Sequence, residues 1–122
     1  MPFNHGELYT RADIKRELGI LVRTFLPHKD RVVLCGCFTS RKNPCAPREV
    51  FAGRSPDRMR WATQFANQGD AIPIFVKEKT GRWRYAGKWR VKEKIEDRKA
   101  IGEANRCAHR TDIGMILRLT EA

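Results

Sequence analysis

The sequence predicts an α+β fold in which mostly antiparallel strands form a small mixed β-barrel with about three flanking helices. The chain has 122 residues, which suits one domain over residues 1–122 with a single core. Segments with a strand pattern outnumber those with a helix pattern. Thr80-Gly81 separates two strand-like segments by two turn residues, which indicates a hairpin and excludes a purely parallel sheet. This combination is typical of a small α+β barrel.

Capping signals define the helices. Thr10 can cap a first helix, Asp13 favours the positive helix end three residues later, and Gly19 is a natural stop. A second helix is predicted to start at Ser-Pro-Asp, residues 55–57, and to run to about residue 67, because this tripeptide supplies a cap, a proline and an acid. A third helix is predicted over residues 96–107.

Apolar runs predict the strands. Residues 31–39 are almost wholly apolar, which favours one strand buried on both faces. Residues 40–48 hold two prolines, an asparagine and three cations, so we expect an exposed loop there. The other strands are predicted over residues 49–52, 71–79, 82–92 and 113–120, with Pro73 marking an edge or a bulge.

The predicted strand over residues 82–92 is the most informative segment for function. Successive side chains of a strand point to opposite sides, so one face would carry Trp83, Tyr85, Gly87, Trp89 and Val91. The other face would carry the cations Arg82, Arg84, Lys88, Arg90 and Lys92. Five positive charges along one strand suit a polyanion, and nucleic acid is the commonest one.

The overall charge indicates the same class of partner. Lys and Arg total 25 against 14 acids, which gives a formal net charge of +11. The cations expected to extend the contact with a nucleic-acid backbone are Arg41, Lys42, Arg58 and Arg60. The N-terminus of the second helix would also offer backbone N–H groups to a phosphate.

Three side chains are candidates for contacting a base. Trp61 and Tyr85 could stack on an unpaired or flipped base. Gln64, which follows Trp61 by three residues, could read a base edge. Packing in the core is the alternative role for both aromatic residues.

The four cysteines could form a metal site that their spacing does not favour. Cys35, Cys37, Cys45 and Cys107 could together bind zinc tetrahedrally. However, Cys-x-Cys followed by a seven-residue gap is not a standard zinc-finger spacing, and cysteines on strands are usually small core residues. We therefore expect no zinc and no other cofactor.

Membrane and enzyme classes are also not expected. The sequence has no run of about 18 apolar residues, and its N-terminus lacks the basic start and apolar stretch of a signal peptide, so a cytoplasmic location is expected. The acids are dispersed, the histidines are scattered, and no catalytic triad or Gly-rich phosphate motif is present.

Four short motifs, in this order, carry a family resemblance: Tyr9-Thr10-Arg11-x-x-Ile14-x-x-x-Leu18-Gly19, Ser55-Pro56-x4-Trp61-x2-Gln64, Ile74-Phe75-Val76-Lys77 and Tyr85-x-Gly87. Over residues 6–95 the chain resembles the uncharacterised domain at the C-terminus of restriction- and defence-associated DEAD/DEAH-box helicases. That domain looks like a member of the PUA-like group, which includes the SRA readers of modified cytosine.

The resemblance implies a pseudo-barrel whose concave face binds nucleic acid around a flipped, modified base. Trp61, Gln64, Tyr85 and Gly87 are the motif positions that carry over. The chain departs from the family in having no attached helicase or nuclease, and in its cysteine-rich, basic segment over residues 35–48. It would therefore act alone or lend recognition to a separate helicase or nuclease.

Together these features favour a non-catalytic DNA-binding module, linked to restriction or defence, that reads a modified or flipped base. An RNA-binding PUA-like module is an alternative, because basic strands and stacking aromatics serve both nucleic acids. Two further hypotheses are a protein-interaction adaptor and a metal-dependent nuclease.

Overall fold

The computed structural model describes residues 3–122, without the side chain of Glu78. Within this part of the chain the helices are α1 (Arg11–Leu18), α2 (Pro56–Gln68) and α3 (Arg98–Ala108). The strands are β1 (Leu8–Tyr9), β2 (His28–Lys29), β3 (Val32–Val33), β4 (Gly36–Thr39), β5 (Glu49–Gly53), β6 (Ile72–Lys79), β7 (Arg82–Ile95) and β8 (Ile113–Glu121).

The helices begin and end at capping residues. The Thr10 hydroxyl accepts a hydrogen bond from the N–H of Asp13 (3.1 Å), and the Asp13 carboxylate accepts one from the N–H of Thr10 (2.9 Å), which forms a capping box at α1. Ser55 caps α2, and a left-handed glycine follows both α1 and α2. The first two predicted helices are confirmed. Asp97 caps α3, which therefore begins at residue 98 instead of 96.

A curled, mostly antiparallel sheet forms a half-barrel. Its strand order is β4–β6–β7–β8–β5, and β4 and β6 run parallel. Thr80-Gly81 joins β6 to β7 as the predicted hairpin. The predicted α+β class is confirmed at this level, with three helices in the described chain. Because β4 and β5 lie at the two ends of the strand order, the half-barrel is open between them.

The single strand predicted over residues 31–39 is wrong. The segment contains β3, which pairs with β2, and β4, which belongs to the main sheet. Between them the N–H of Leu34 donates to the carbonyl of Pro27 (2.9 Å), and within β4 the N–H of Cys37 donates to that of Phe25 (2.8 Å). These hydrogen bonds to the preceding segment compete with continuous strand pairing. Residues 31–39 therefore form two short strands instead of one.

Each face of the sheet carries a buried core cluster. The neighbouring β6 residues Ile74 and Phe75 belong to different core clusters, as expected for side chains on opposite faces. Helix α2 contributes Phe65 to the cluster of Ile74, and α1 contributes Ile14 to that of Phe75. A third cluster lies under α3 and includes Ala104.

A β-bulge divides β7 into two halves. Phe75 pairs with Tyr85 and Pro73 pairs with Lys88, so two steps along β6 match three along β7. Gly87 lies in the left-handed region, with φ of +99°. An extra residue reverses the faces beyond it. Accordingly, Tyr85 packs in the cluster of α1 and Trp89 packs in the cluster of α2.

The prediction of one aromatic face and one cationic face along residues 82–92 is therefore wrong. The reversal at the bulge directs Arg82 and Arg84 toward one side of the sheet and Lys88 and Arg90 toward the other. β7 contains a second extra residue near Lys92. Val91 pairs with Leu119 and Glu93 pairs with Arg118, so two steps along β7 match one step along β8. The five cations do not form one continuous row.

Candidate nucleic-acid interface

A cavity of about 540 Å³ lies at the opening between β4 and β5. Its volume is within the range of about 300–1,000 Å³ typical of ligand pockets. The cavity is lined by residues of the edges of β4 and β5, of the loop between these two strands and of the first turns of α2. The polar and aromatic side chains among them are Arg11, Arg23, Thr24, Phe25, Thr39, Lys42, Asn43, Phe51, Ser55, Asp57, Arg58, Trp61, Trp83, Arg110 and Asp112. We call this space the β4–β5 cavity.

Arg110 connects three segments in the wall of the β4–β5 cavity through hydrogen bonds. Its Nε and Nη2 donate to the two carboxylate oxygens of Asp112 at 2.9 and 3.0 Å. Its Nη1 donates to the carbonyls of Lys42 (3.1 Å) and Phe51 (3.5 Å). Hydrogen bonds from this guanidinium hold the pKa of Asp112 below its usual value. One half-buried side chain thus joins the loop before β5, β5 itself and the approach to β8.

Asn43 is the buried polar residue of the cavity, with 5% of its surface exposed. Its Oδ1 accepts a hydrogen bond of 2.7 Å from the N–H of Phe51. Because that partner is a donor, the acceptor must be the amide oxygen and not the nitrogen. The Nδ2 group has no hydrogen-bond partner among residues 3–122. It is a donor beside the cavity whose hydrogen bond a ligand could complete.

The absence of a side chain at Gly53 lets Arg58 lie against β5. A Cβ atom at this position would be 3.1 Å from Cδ of Arg58 and 3.0 Å from Oδ2 of Asp112. Arg58, Lys42 and the neighbouring Arg23 are exposed. No ion pair to these three cations occurs within the described part of the chain. The charges of Lys42 and Arg23 are therefore available to an anion, whereas the charge of Arg58 also contributes to lowering the pKa of the nearby Asp112.

Two tryptophans bring aromatic surface to the cavity. The ring of Trp61 stacks on that of His28, with the centroids 3.4 Å apart and the planes inclined by 15°. Nδ1 of His28 donates to the carbonyl of Leu26 at 3.0 Å, which orients the imidazole. The guanidinium of Arg60 lies 5.1 Å from the centroid of Trp61. One face of Trp61 is thus already covered by histidine.

The second tryptophan, Trp83, lies mostly within the core, with 3% of its surface exposed. The Arg11 guanidinium and the Lys77 ammonium lie 5.6 and 5.4 Å from its ring centroid. Such cation–π contacts hold positive charge beside an aromatic wall.

Three of the residues predicted to contact nucleic acid line the cavity, namely Lys42, Arg58 and Trp61, and so does the zinc candidate Cys37. Arg41 and Arg60 are exposed next to them in the chain. The cations Arg82, Lys88, Arg90 and Lys92 of β7 are exposed and Arg84 is half-buried, and none of these five lines the cavity.

The remaining two base-contact candidates lie elsewhere. Tyr85 is 5% exposed and packs in the cluster of α1, where burial raises the pKa of its hydroxyl. Gln64 donates through Nε2 to Oε1 of Gln68 at 3.4 Å. Gln68 in turn bonds both backbone groups of Val33, so this pair of glutamines connects α2 to β3.

The four zinc candidates form two pairs. Cys35 and Cys37 are buried with their sulfurs 4.0 Å apart. Cys45 and Cys107 are exposed; partial burial and then the thiol of Cys107 raise the pKa of Cys45. Within residues 3–122 no group of three or more His, Cys, Asp or Glu side chains is placed to hold a metal ion.

Asn43, Arg110 and Asp112 are site residues that the sequence did not indicate. Apart from the Arg110–Asp112 pair, which is two residues apart, their side-chain contacts join positions 8 to 68 residues apart, and neither spacing nor periodicity marks them. The available signal was a single asparagine within a segment otherwise interpreted as an exposed loop.

Comparison with known proteins finds no match for this chain among family models, curated proteins or solved structures. In the described part of the chain, none of the helices has the length and apolar character needed to span a bilayer.

Proposed function

We propose that the chain is a non-catalytic DNA-binding module with a PUA-like fold, which receives an unpaired or flipped base in the β4–β5 cavity. The observation that carries the proposal is the composition of this cavity. It combines aromatic walls, exposed cations without ion-pair partners in the described chain, and the unpaired amide donor of Asn43, a mostly buried residue. A base is an aromatic ring with polar edges attached to an anionic backbone, and each part has a counterpart here.

The phosphates would be bound at the mouth of the cavity. Lys42 lies in the loop before β5, and Arg58 lies in the first turn of α2. The first N–H groups of a helix have no intrahelical partner and favour negative charge. In α2 the Ser55 hydroxyl already accepts from the N–H of Arg58 at 3.3 Å. The side-chain cations would therefore provide most of the attraction.

The base would lie deeper, against the aromatic walls. The aromatic residues that line the cavity are Trp61, Trp83, Phe25 and Phe51, and of the two tryptophans Trp61 is the more exposed. Stacking of a base on an aromatic side chain contributes about 1–3 kcal/mol. This role for Trp61 is retained from the sequence prediction, whereas the proposal does not use Tyr85 or Gln64.

The cations of β7 would contribute unequally. The bulge directs Arg82 and Arg84 to one side of the sheet and Lys88 and Arg90 to the other. A single duplex at the cavity would therefore contact one of these two pairs more closely than the other. DNA is favoured over RNA by the resemblance described above. A separate helicase or nuclease as functional partner belongs to the same proposal.

The proposal is tested by binding to one duplex that carries cytosine, 5-methylcytosine or 5-hydroxymethylcytosine at a single position, beside its RNA counterpart, in about 150 mM salt. We expect retention of DNA, with a preference of tenfold or more for one cytosine state, equivalent to about 1.4 kcal/mol. Tighter binding of the RNA would replace DNA with RNA as the ligand. Absence of binding to both would refute the proposal and favour a protein partner, and cleavage with magnesium or manganese would indicate a nuclease.

A further inference from the structure

The β4–β5 cavity is larger than a single base requires. Its volume of about 540 Å³ corresponds to about 18 water molecules at about 30 Å³ each, which is their share of the liquid. A base has about 10 non-hydrogen atoms and a nucleotide about 20, so a base would fill about half of the space and a nucleotide all of it. The volume therefore admits a base together with its sugar and phosphate.

Positive charge is concentrated in the lining of this cavity. The 18 lining residues include five cations and two acids, so they carry a net charge of +3, or one charge per six residues. The whole chain carries +11 over 122 residues, or about one charge per eleven. The general basicity of the chain therefore accounts for only about half of the positive charge around the cavity.

Three of the five lining cations have no ion-pair partner within residues 3–122. Arg110 and Arg58 both lie beside Asp112, whose carboxylate offsets part of their charge. The acid that opposes the other three is Asp57, which is exposed in the first turn of α2. These three cations are exposed: Arg11, Arg23 and Lys42.

The cavity is small enough for these charges to act together. A compact space of 540 Å³ is about 10 Å across, which is comparable to the Debye length of about 8 Å at physiological ionic strength. An anion inside the cavity therefore lies within unscreened reach of several cations at once, whichever of them it contacts directly. A phosphate held outside the cavity would lose part of this attraction.

A neutral donor adds to the lining. Nδ2 of Asn43 has no hydrogen-bond partner within residues 3–122, whereas every fully buried side-chain nitrogen or oxygen of the described chain has one. Nδ2 is therefore not fully buried, and it reaches the cavity that this 5% exposed residue lines. Sugar hydroxyls, phosphate oxygens and base edges all accept hydrogen bonds from such a group.

We propose that the β4–β5 cavity encloses a whole nucleotide, with the phosphate inside the cavity beside the base, so that a free nucleoside 5′-monophosphate is a sufficient ligand. A phosphate monoester carries a charge of about −1.5 to −2 at neutral pH, which suits a lining of net charge +3. Free nucleotides would then regulate DNA binding by occupying the same cavity. This inference rests on the proposed function and adds to it the chemical class of the smallest ligand.

The test measures direct binding of the four deoxynucleoside 5′-monophosphates, their nucleosides and inorganic phosphate by calorimetry, and the displacement of a labelled DNA by each. We expect at least one monophosphate to bind about tenfold or more tightly than its nucleoside and than phosphate, and to displace the DNA. Equal binding of nucleoside and monophosphate would overturn the inference, because the phosphate would then lie outside. Equal binding of phosphate and monophosphate would overturn it too, because the base would then contribute nothing.

The same measurements separate this inference from the proposed function. Binding of DNA without binding or displacement by any monophosphate would overturn the inference and leave the proposed function intact. Binding of a monophosphate without binding of DNA would refute the proposed function and support a free nucleotide as the ligand. Absence of binding to both would refute both.

Arg23→Ala tests the position of the phosphate. The variant removes an exposed cation that lines the cavity, and we expect it to lower the affinity for the monophosphate about three- to tenfold. Arg106→Ala is the matched control, because it removes the same charge at an exposed position of α3 that does not line the cavity. Equal losses in the two variants would indicate a general attraction by the basic chain and would overturn the inference.

Discussion

The guanidinium of Arg110 and the carboxylate of Asp112 form a two-bond ion pair, with donor–acceptor distances of 2.9 and 3.0 Å, while a third nitrogen of Arg110 bonds the carbonyl of Lys42. A planar guanidinium can make these contacts together because its donors form a fixed fork. The pair therefore determines the position of the loop that carries Asn43. The shape of the β4–β5 cavity depends on it.

Replacing Arg110 with lysine is expected to lower the free energy of unfolding by about 1–3 kcal/mol. Lysine keeps the charge but cannot reach the carboxylate and the carbonyls of Lys42 and Phe51 together. Denaturant unfolding measures the change. Arg106→Lys, at an exposed position of α3, is the control and should be nearly neutral. Equal stability of both variants would show that the hydrogen bonds of Arg110 do not stabilise the wall of the cavity.

The Arg110–Asp112 ion pair also predicts that the free energy of unfolding depends on pH. The pKa of Asp112 is lowered in the folded protein, chiefly by hydrogen bonds from Arg110. The Asp112 carboxylate therefore contributes to the free energy of unfolding above its unfolded pKa of about 3.9. This contribution is lost as the pH falls through the pKa of Asp112 in the folded protein. Unfolding curves of the wild type and Asp112→Asn should differ above about pH 4 and converge in stronger acid. Asp70→Asn, an exposed carboxylate, should not reproduce this convergence.

The bulge in β7 predicts a strong effect at Gly87. An alanine there would need a left-handed backbone at φ of +99°, and its Cβ would lie 2.7 Å from a Glu121 carboxylate oxygen. We expect a loss of about 1–3 kcal/mol in thermal or chemical unfolding. The Glu121 carboxylate is the end of a flexible, partly exposed side chain and can move aside, so backbone strain is the main cost. Gly81 has φ of +75°, and a Cβ added there would meet no atom within 4 Å, so Gly81→Ala measures the same kind of strain in an open turn. Unchanged stability of Gly87→Ala would contradict a strained bulge.

Loss of a cation at the cavity should weaken binding of all DNA sequences. Arg58→Ala removes one expected phosphate contact, so the slope of log K against log salt concentration should become shallower by about 1. Lys99→Ala removes the same charge at an exposed position of α3 and should leave the slope almost unchanged. Salt titrations of both variants on one DNA give this comparison, and equal slopes would indicate a non-specific field in place of a contact.

Local signals were sufficient to predict the helices and the hairpin. The caps at Thr10 and Ser55 act over three residues, and a two-residue turn determines the hairpin at Thr80-Gly81. Regular alternation along β7 does not anticipate the bulge at Gly87, although a glycine inside a strand often marks such an irregularity. One extra residue then reverses the faces of the cations that follow it.

The site was predictable only in part. Lys42, Arg58 and Trp61 were indicated by residue type, since cations and aromatics are common in nucleic-acid contacts. Arg110 depends on carbonyls 59 and 68 residues away, which is information that only the folded chain contains. The same applies to Asn43, because the hydrogen bond that positions its amide comes from the N–H of Phe51, eight residues later in the chain.

The location of binding is measured most directly by backbone amide NMR, titrating the labelled protein with a duplex in which one guanine faces an abasic site. The account predicts that the largest shift changes fall on residues 39–43, 53–61 and 110–112, which border the β4–β5 cavity. Changes confined to residues 88–92 and α3, with the cavity unaffected, would contradict it.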